Sequence, residues 1–221
     1  MRPKALISWS SGKDSAWALH EARCAGAYDI VGALTMVTDD FRRVSMHGVR
    51  EEILQAQLAA AGLPPLIVRI PWPCPNEAYE ACMADALRDA RSRGITHMIF
   101  GDLFLEDVRA YREEKLSGTG IAPVFPLWGR PTAALARKMI AGGLETRLVC
   151  VDTALLDGSF AGREFDAALL ADLPPSADPC GENGEFHSCV TGGPMFSSGL
   201  EVTTGDIVQR DRFVYADLAL A

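Results

Sequence analysis

Positive charge is scarce in this chain. Its 221 residues carry 21 Lys and Arg against 29 Asp and Glu, a formal charge of −8, with a pI near 5.0. That balance excludes a broad basic face for gripping nucleic acid and leaves room only for a local patch. Lysine occurs only at positions 4, 13, 115 and 138. The other cations are arginine and alanine is abundant, which points to a GC-rich genome. Paired cysteines are also missing. The six Cys, at 24, 74, 82, 150, 180 and 189, form no Cys-X-X-Cys motif and no tight secreted framework, so they read as reduced thiols. No apolar run is long enough to span a bilayer, and Met1-Arg2-Pro3-Lys4 leads directly into a strand with no room for a signal peptide. A soluble, cytoplasmic protein without a membrane partner is expected.

What is present is a regular alternation. Apolar strands at 5–8, 30–38, 66–70 and 95–100 are separated by helical patterns at 14–23, 48–61, 76–94 and 105–116. A further strand at 122–128, a helix from Pro131 to about 142 and a strand at 146–153 follow. Repeated strand–helix–strand units predict an α/β fold built on a doubly wound parallel sheet. Composition changes at Pro174-Pro175-Ser176-Ala177-Asp178-Pro179. Beyond it come short alternating segments around Phe186, Val190, Val202 and Val214, with Thr204-Gly205-Asp206 read as a turn. The expected division is residues 1–173 as the α/β domain and 174–221 as a small β-rich region.

The first strand breaks into Ser8-Trp9-Ser10-Ser11-Gly12-Lys13-Asp14-Ser15. At a strand-to-helix junction the first helical N–H groups lack internal partners and the helix dipole adds positive potential, so the junction is an anion site. Small residues let a phosphate approach the backbone, Ser10 and Ser15 add hydroxyls, and Lys13 adds charge. A Walker loop is excluded twice over: Ser8 stands where its early glycine belongs, and Asp14 follows Lys13 where it needs Ser or Thr. Ligands of parallel sheets sit at the carboxyl ends of strands, so the backbone at Thr35, Met36 and Val37 is expected to meet an adenine ring.

A second constellation is Asp178-Pro179-Cys180-Gly181-Glu182-Asn183-Gly184-Glu185-Phe186-His187-Ser188-Cys189-Val190. Strand alternation puts Glu185, His187 and Cys189 on one face and Phe186, Ser188 and Val190 on the other. Such groups can hold a metal, orient an ammonium ion or take a proton during amine attack. A plain solvated turn, a zinc site from Cys180, His187 and Cys189, and a Cys-His nucleophile are the other readings of these residues. The charged helix with Asp107, Arg109, Arg112, Glu113 and Glu114 is either a solvated face or a wall of the ligand edge.

Ser10-Ser11-Gly12-Lys13-Asp14-Ser15 resembles the SGGXDS loop of PP-loop ATP pyrophosphatases, with Ser11 in place of the first glycine. Together with Ser45-Met46-His47-Gly48-Val49-Arg50, Gly101-Asp102, Arg109, Arg112-Glu113, Pro126-Leu127-Trp128, Gly162-Arg163 and Gly181-Glu182-Asn183-Gly184-Glu185-Phe186-His187, the chain resembles the diphthine–ammonia ligase family. That resemblance implies an adenine nucleotide α-hydrolase (PP-loop) type of sheet and an ATP-dependent amidation of a carboxylate through an acyl-adenylate, releasing AMP and pyrophosphate. It places Ser8, Ser10, Ser11, Gly12, Lys13, Asp14, Ser15, Thr35, Met36, Val37 and Asp102 around ATP, with Asp14 helping to hold Mg2+. Lys13, Asp14, Glu182, Asn183 and Glu185 are the implied catalytic set; His47, Arg109, Arg112 and His187 are weaker substrate-binding candidates.

No segment is long enough to be a glutaminase domain, so free ammonium is the expected nitrogen source. The acceptor carboxylate is open between a modified histidine on translation elongation factor 2, the family's target, and a small molecule. A homo-oligomer is compatible with the sequence, and the C-terminal motif could complete its own ATP site or a neighbour's. Two other functions compete: an ATP sensor or store without turnover, suggested by the crowding side chain of Ser11, and a PP-loop enzyme acting on tRNA.

Overall fold

The computed structural model describes residues 1–221. Its centre is β1 (Lys4–Ser8), whose Ala5, Leu6 and Ile7 are all buried, as a parallel strand covered on both faces requires. The chain passes through α1 (Lys13–Ala25) to β2 (Asp29–Thr38), then through the two-residue β3 (Arg43–Val44) and α2 (Glu51–Ala60) to β4 (Pro65–Ile70). It returns across β1 by α3 (Asn76–Ser92) to β5 (His97–Ile99) and by α4 (Glu106–Leu116) to β6 (Ala122–Val124). β1, β2, β4, β5 and β6 run parallel; β5 pairs with β1 on the side opposite β2, β4 flanks β2, and β3 pairs antiparallel at β2's end.

Alternation along these strands divides the interior in two. Ala5, Ile7, Ala33 and Val37 point into a cluster of 41 buried residues that includes Trp17, Leu54 and Met139 of the helices. Leu6, Leu34, Val68 and Met98 point the other way, into a cluster of 11 with Leu87 and Leu116.

After α5 (Thr132–Ala141) the chain enters a second, antiparallel sheet. Its strands are β7 (Glu145–Asp152), β8 (Phe186–Gly192), β9 (Val202–Arg210) and β10 (Phe213–Leu220), in the order β8, β7, β10, β9. A strand over 146–153 was expected as a continuation of the parallel sheet; β7 instead pairs with β8 and β10. Alternation alone cannot tell which sheet a buried strand joins, because Leu148 and Val151 satisfy either. A division at residue 174 would separate β7 from its two partners, β8 and β10. The short α6 (Ala167–Asp172), capped by Asp166 Oδ1 accepting from the Leu169 N–H at 2.7 Å, lies between β7 and β8.

Thr204-Gly205-Asp206 is not a turn. These residues lie within β9, where the pairing slips between Ala216 and Leu218, and the hairpin reverses at Asp211, whose φ is +52°. A glycine flanked by polar residues marks a bulge as readily as a turn.

The two sheets are tied by Asp217 of β10. It accepts from Arg43 Nη1 at 2.9 Å and Arg50 Nη2 at 2.5 Å. The Arg50 hydrogen bond, working against burial and helped by Arg43, holds the Asp217 carboxyl down at about 2. A depressed acid stabilises the fold above its ordinary value and loses that contribution as pH falls through the folded one. D217N should therefore cost about 1 kcal/mol at neutral pH, allowing for solvent screening. Denaturant titrations should show the gap from wild type closing as pH approaches 2.

Candidate active site

A cleft of about 370 Å3 opens at the carboxyl ends of β1, β2 and β5, where successive strands depart to opposite sides of β1. Ser8, Ser10, Lys13, Asp14 and Ser15 line one wall; Met36, Ser45 and His47 line another. Asp102 and Arg112 close it from the β5 side, and Glu182, His187 and Ser188 from the second sheet.

The loop is held from outside itself. Ser11 O accepts from the Val190 N–H at 2.9 Å and from Gln57 Nε2 at 3.2 Å. The same amide donates to Val190 O at 2.7 Å, and Gln57 Oε1 accepts from Trp9 Nε1 at 3.1 Å. Serine hydroxyls meet the loop's amide groups: Ser15 Oγ accepts from Ser10 N–H, Ser10 Oγ from Gly12 N–H, and Ser188 Oγ from Lys13 N–H at 3.1 Å. Amides pointed at small polar groups at a helix start form a cradle for an anion.

Ser11 itself is fully buried and does not line the cleft, so its side chain does not crowd a bound phosphate there. Its φ of +68° is a left-handed conformation, and its Oγ has no partner. Glycine relieves both costs and gives back part of the gain as unfolded-chain entropy. S11G should raise stability by about 1 kcal/mol, read as a higher denaturant midpoint at unchanged slope.

Lys13 Nζ and Asp14 Oδ2 are 2.7 Å apart, with the lysine side chain only 3% exposed. Burial alone would lower the lysine; Asp14 outweighs it and holds Lys13 above its ordinary value, as an ammonium. Burial pushes Asp14 up, and the attraction of Lys13 only partly opposes this. The rings of Phe186 and Phe165 lie 5.5 and 5.9 Å from Nζ. Asp14 Oδ1 is buried without a partner. Across the cleft Asp102 receives Arg112 Nε at 2.5 Å and Nη2 at 3.1 Å.

Residues 178–188 supply the facing wall. Asp178 Oδ2 accepts from the N–H groups of Cys180 and Glu182, and Gly181 turns the chain at φ +70°, where a Cβ would stand 2.9 Å from the Phe186 ring. The turn aims Glu182 into the cleft, where Oε1 accepts from the Leu103 N–H at 2.8 Å. Burial, against that hydrogen bond, raises Glu182 to about 7. His47 and His187 stack with ring centres 4.6 Å apart, and His47 Nδ1 donates to Ser188 O at 3.1 Å. Burial holds them at about 3 and about 4, so both are neutral near pH 7.

Several expected residues stand elsewhere. Glu185 is buried away from the cleft: its Oε1 accepts from Asp178 N–H at 2.7 Å and Asn183 Nδ2 at 3.2 Å, so both Glu185 and Asn183 brace the turn. Strand alternation does not carry over to Glu185, which precedes β8, or across the slip in pairing between Leu148 and Cys150 that brings Phe186, His187 and Ser188 all to the cleft. Thr35 and Val37 are buried on the other face of β2, and only Met36 lines the cleft; its carbonyl accepts from Ser45 N–H. Gly12 lies beneath His47 rather than at the lining. Arg109 stacks on Phe125 and Trp128 at 4.9 and 4.7 Å and pairs with Glu113.

The sequence reading gave no site role to Gln57, Ser45 or Ser188. A glutamine beside Leu54 and Leu58 on an apolar helix face was the available sign for the first. Burial pushes the thiols of Cys180 and Cys189 up to about 12, far from a reactive thiolate. No three His, Cys, Asp or Glu side chains come together as a metal-holding group.

The sequence model of the diphthamide synthase C-terminal domain matches residues 131–218, which run from α5 through the second sheet. The diphthine–ammonia ligase of Rattus norvegicus is 24% identical over 99% of this chain and 89% of its own length. The chain is similar to the diphthine–ammonia ligase family. Its α/β fold, with a parallel-dominated sheet and a separate antiparallel one, is consistent with the PP-loop type. The match to the diphthamide synthase domain includes Gly181 to Ser188, the wall that carries Glu182. No helix is long and apolar enough to cross a membrane.

Proposed function

We propose that this chain is an ATP-dependent carboxylate–ammonia ligase that forms an amide and releases AMP and pyrophosphate. The observation that carries the reading is Glu182 facing Lys13 and Asp14 across one cleft that begins at an anion-binding loop. A carboxylate resists ammonia because its own charge repels a nucleophile. One of its oxygens therefore attacks the α-phosphorus of ATP, the bond to the bridging oxygen breaks, and pyrophosphate leaves. Lys13 stabilises the charge gathering on that leaving group while Ser10, Ser15 and the loop amides hold it.

Ammonium then enters beside Glu182. With a carboxyl near 7, Glu182 is partly ionised at neutral pH, which suits it to take a proton from ammonium. Ammonia nitrogen attacks the acyl carbon, the carbon–oxygen bond to AMP breaks, the proton shed by nitrogen leaves with the AMP phosphate, and the amide forms. Met36 stands at the end of β2 where adenine is expected. The unpartnered Oδ1 of Asp14 fits a magnesium ion that takes its other ligands from phosphates and water. When bound, that ion neutralises phosphate charge. The printed name of the rat relative makes diphthine the first acceptor to try.

The test is product analysis with ATP labelled at the α-phosphate, with ammonium, magnesium and a cell extract as acceptor source. Labelled AMP formed only with both extract and ammonium supports the ligase; ADP, or tight binding with no cleavage under any condition, overturns it. At saturating ammonium, activity should rise through about pH 7 as Glu182 ionises. E182Q should lose that limb and drop amide formation by about 10²-fold or more while keeping ATP affinity.

A further inference from the structure

A second and larger cavity, about 730 Å3, adjoins the cleft. Met98 and Phe100 form its floor, Tyr79, Met83 and Leu87 rise from α3, and Tyr111 faces them from α4. Tyr79, Met83, Phe100 and Arg112 line both cavities, so the two are contiguous. The rim is cationic: Arg88, Arg91, Arg112 and Lys115 stand against the single carboxylate of Glu80. With Asp85 and Asp102 paired to Arg88 and Arg112 from outside the lining, the uncompensated cation of the rim is Arg91. Lys115 is paired with Glu80 and Arg88 with Asp85, whereas Arg91 has no ion-pair partner. Arg112 lies 4.5 Å over the Phe100 ring at the junction and gives Nε and Nη2 to Asp102, which leaves Nη1.

We propose that this cavity is the acceptor pocket and that its occupant is a small carboxylic acid with an apolar body. The deduction rests on the ligase reading above. Apolar walls with a few placed cations are the make-up of a site for such a molecule. Its body lies between α3 and α4, and its carboxylate reaches Nη1 of Arg112, at the edge of the cleft where ATP is attacked. A neutral ligand would leave Arg91 and Nη1 of Arg112 without a counterpart, and a polar one would waste the tyrosine, methionine and leucine surface.

The probe is phenylpropionate, compared with phenylpropanol, which has the same body without the charge. Binding is followed by equilibrium dialysis and AMP formation is measured separately. A84W fills the cavity from an exposed position on α3 that does not line the ATP cleft. It should weaken phenylpropionate binding about tenfold or more while ATP affinity stays within about twofold. R91E should weaken the acid and spare the alcohol.

Equal binding of acid and alcohol, or probe binding unchanged in A84W, overturns the proposal. Binding lost in A84W but without AMP formation in wild type sustains the pocket and counts against the ligase reading. Amidation of a protein-borne carboxylate that A84W leaves intact, with no probe binding, overturns the pocket and leaves the ligase standing.

Discussion

K13M should lower ATP cleavage by about 10²–10³-fold, the range found when one donor to a developing negative charge is removed. Methionine keeps most of the side-chain volume between the Phe165 and Phe186 rings, so packing changes little. It removes the cation that Asp14 balances at 2.7 Å. Asp14 then moves further toward its protonated form, because burial already raises it and Lys13 is what opposes that rise. Pyrophosphate release measures the first effect and a denaturant midpoint the second. Cleavage within tenfold of wild type would show that Lys13 does not touch the departing phosphates. K13R retains the charge in a broader shape, so partial rescue is expected from it and none from K13M.

G101A should be a severely damaging single methyl, because the atoms it meets are backbone. A Cβ at this position would stand 2.7 Å from the Asp14 carbonyl carbon and 2.8 Å from Asp14 O and Ser15 N. These are backbone atoms in the first turn of α1, so relief requires moving the helix start away from β5. The cost should be about 1–3 kcal/mol. ATP affinity should fall about tenfold or more, because moving the first turn of α1 moves Lys13 and Ser15 at the cleft. Denaturant titration and ATP binding together check this. Normal ATP affinity in a destabilised variant would separate the helix start from the phosphate site.

Both predictions draw on contacts made between distant parts of the chain, and the same division marks what could be read beforehand. The strands and helices from β1 to α5 were legible because their signals are local. Leu6 and Ile7 of a continuous apolar run, Gly26 ending α1 in a left-handed conformation, and Leu54 and Leu58 one turn apart each act within a few residues. The strand-to-helix loop after β1 was legible for the same reason: a strand, small hydroxyl residues and a helix start are adjacent in sequence.

The second sheet was harder. Apolar alternation in β7 requires burial and says nothing of the partner strand. In β9 the polar Thr204-Gly205-Asp206 carries a bulge that has the composition of a turn.

By itself, then, the sequence determined the α/β alternation, the strand-to-helix loop at the end of β1, and the polar turn at 178–185. The tertiary structure decided which of two nearby carboxylates faces the cleft. Glu182 and Glu185 lie three residues apart, yet Glu182 reaches Leu103 across the cleft while Glu185 folds back on Asp178 and Asn183. Side-chain direction in an irregular turn has no period. It is set by whichever backbone amide the fold brings within hydrogen-bonding distance, and for Glu182 that amide is 79 residues away in the chain.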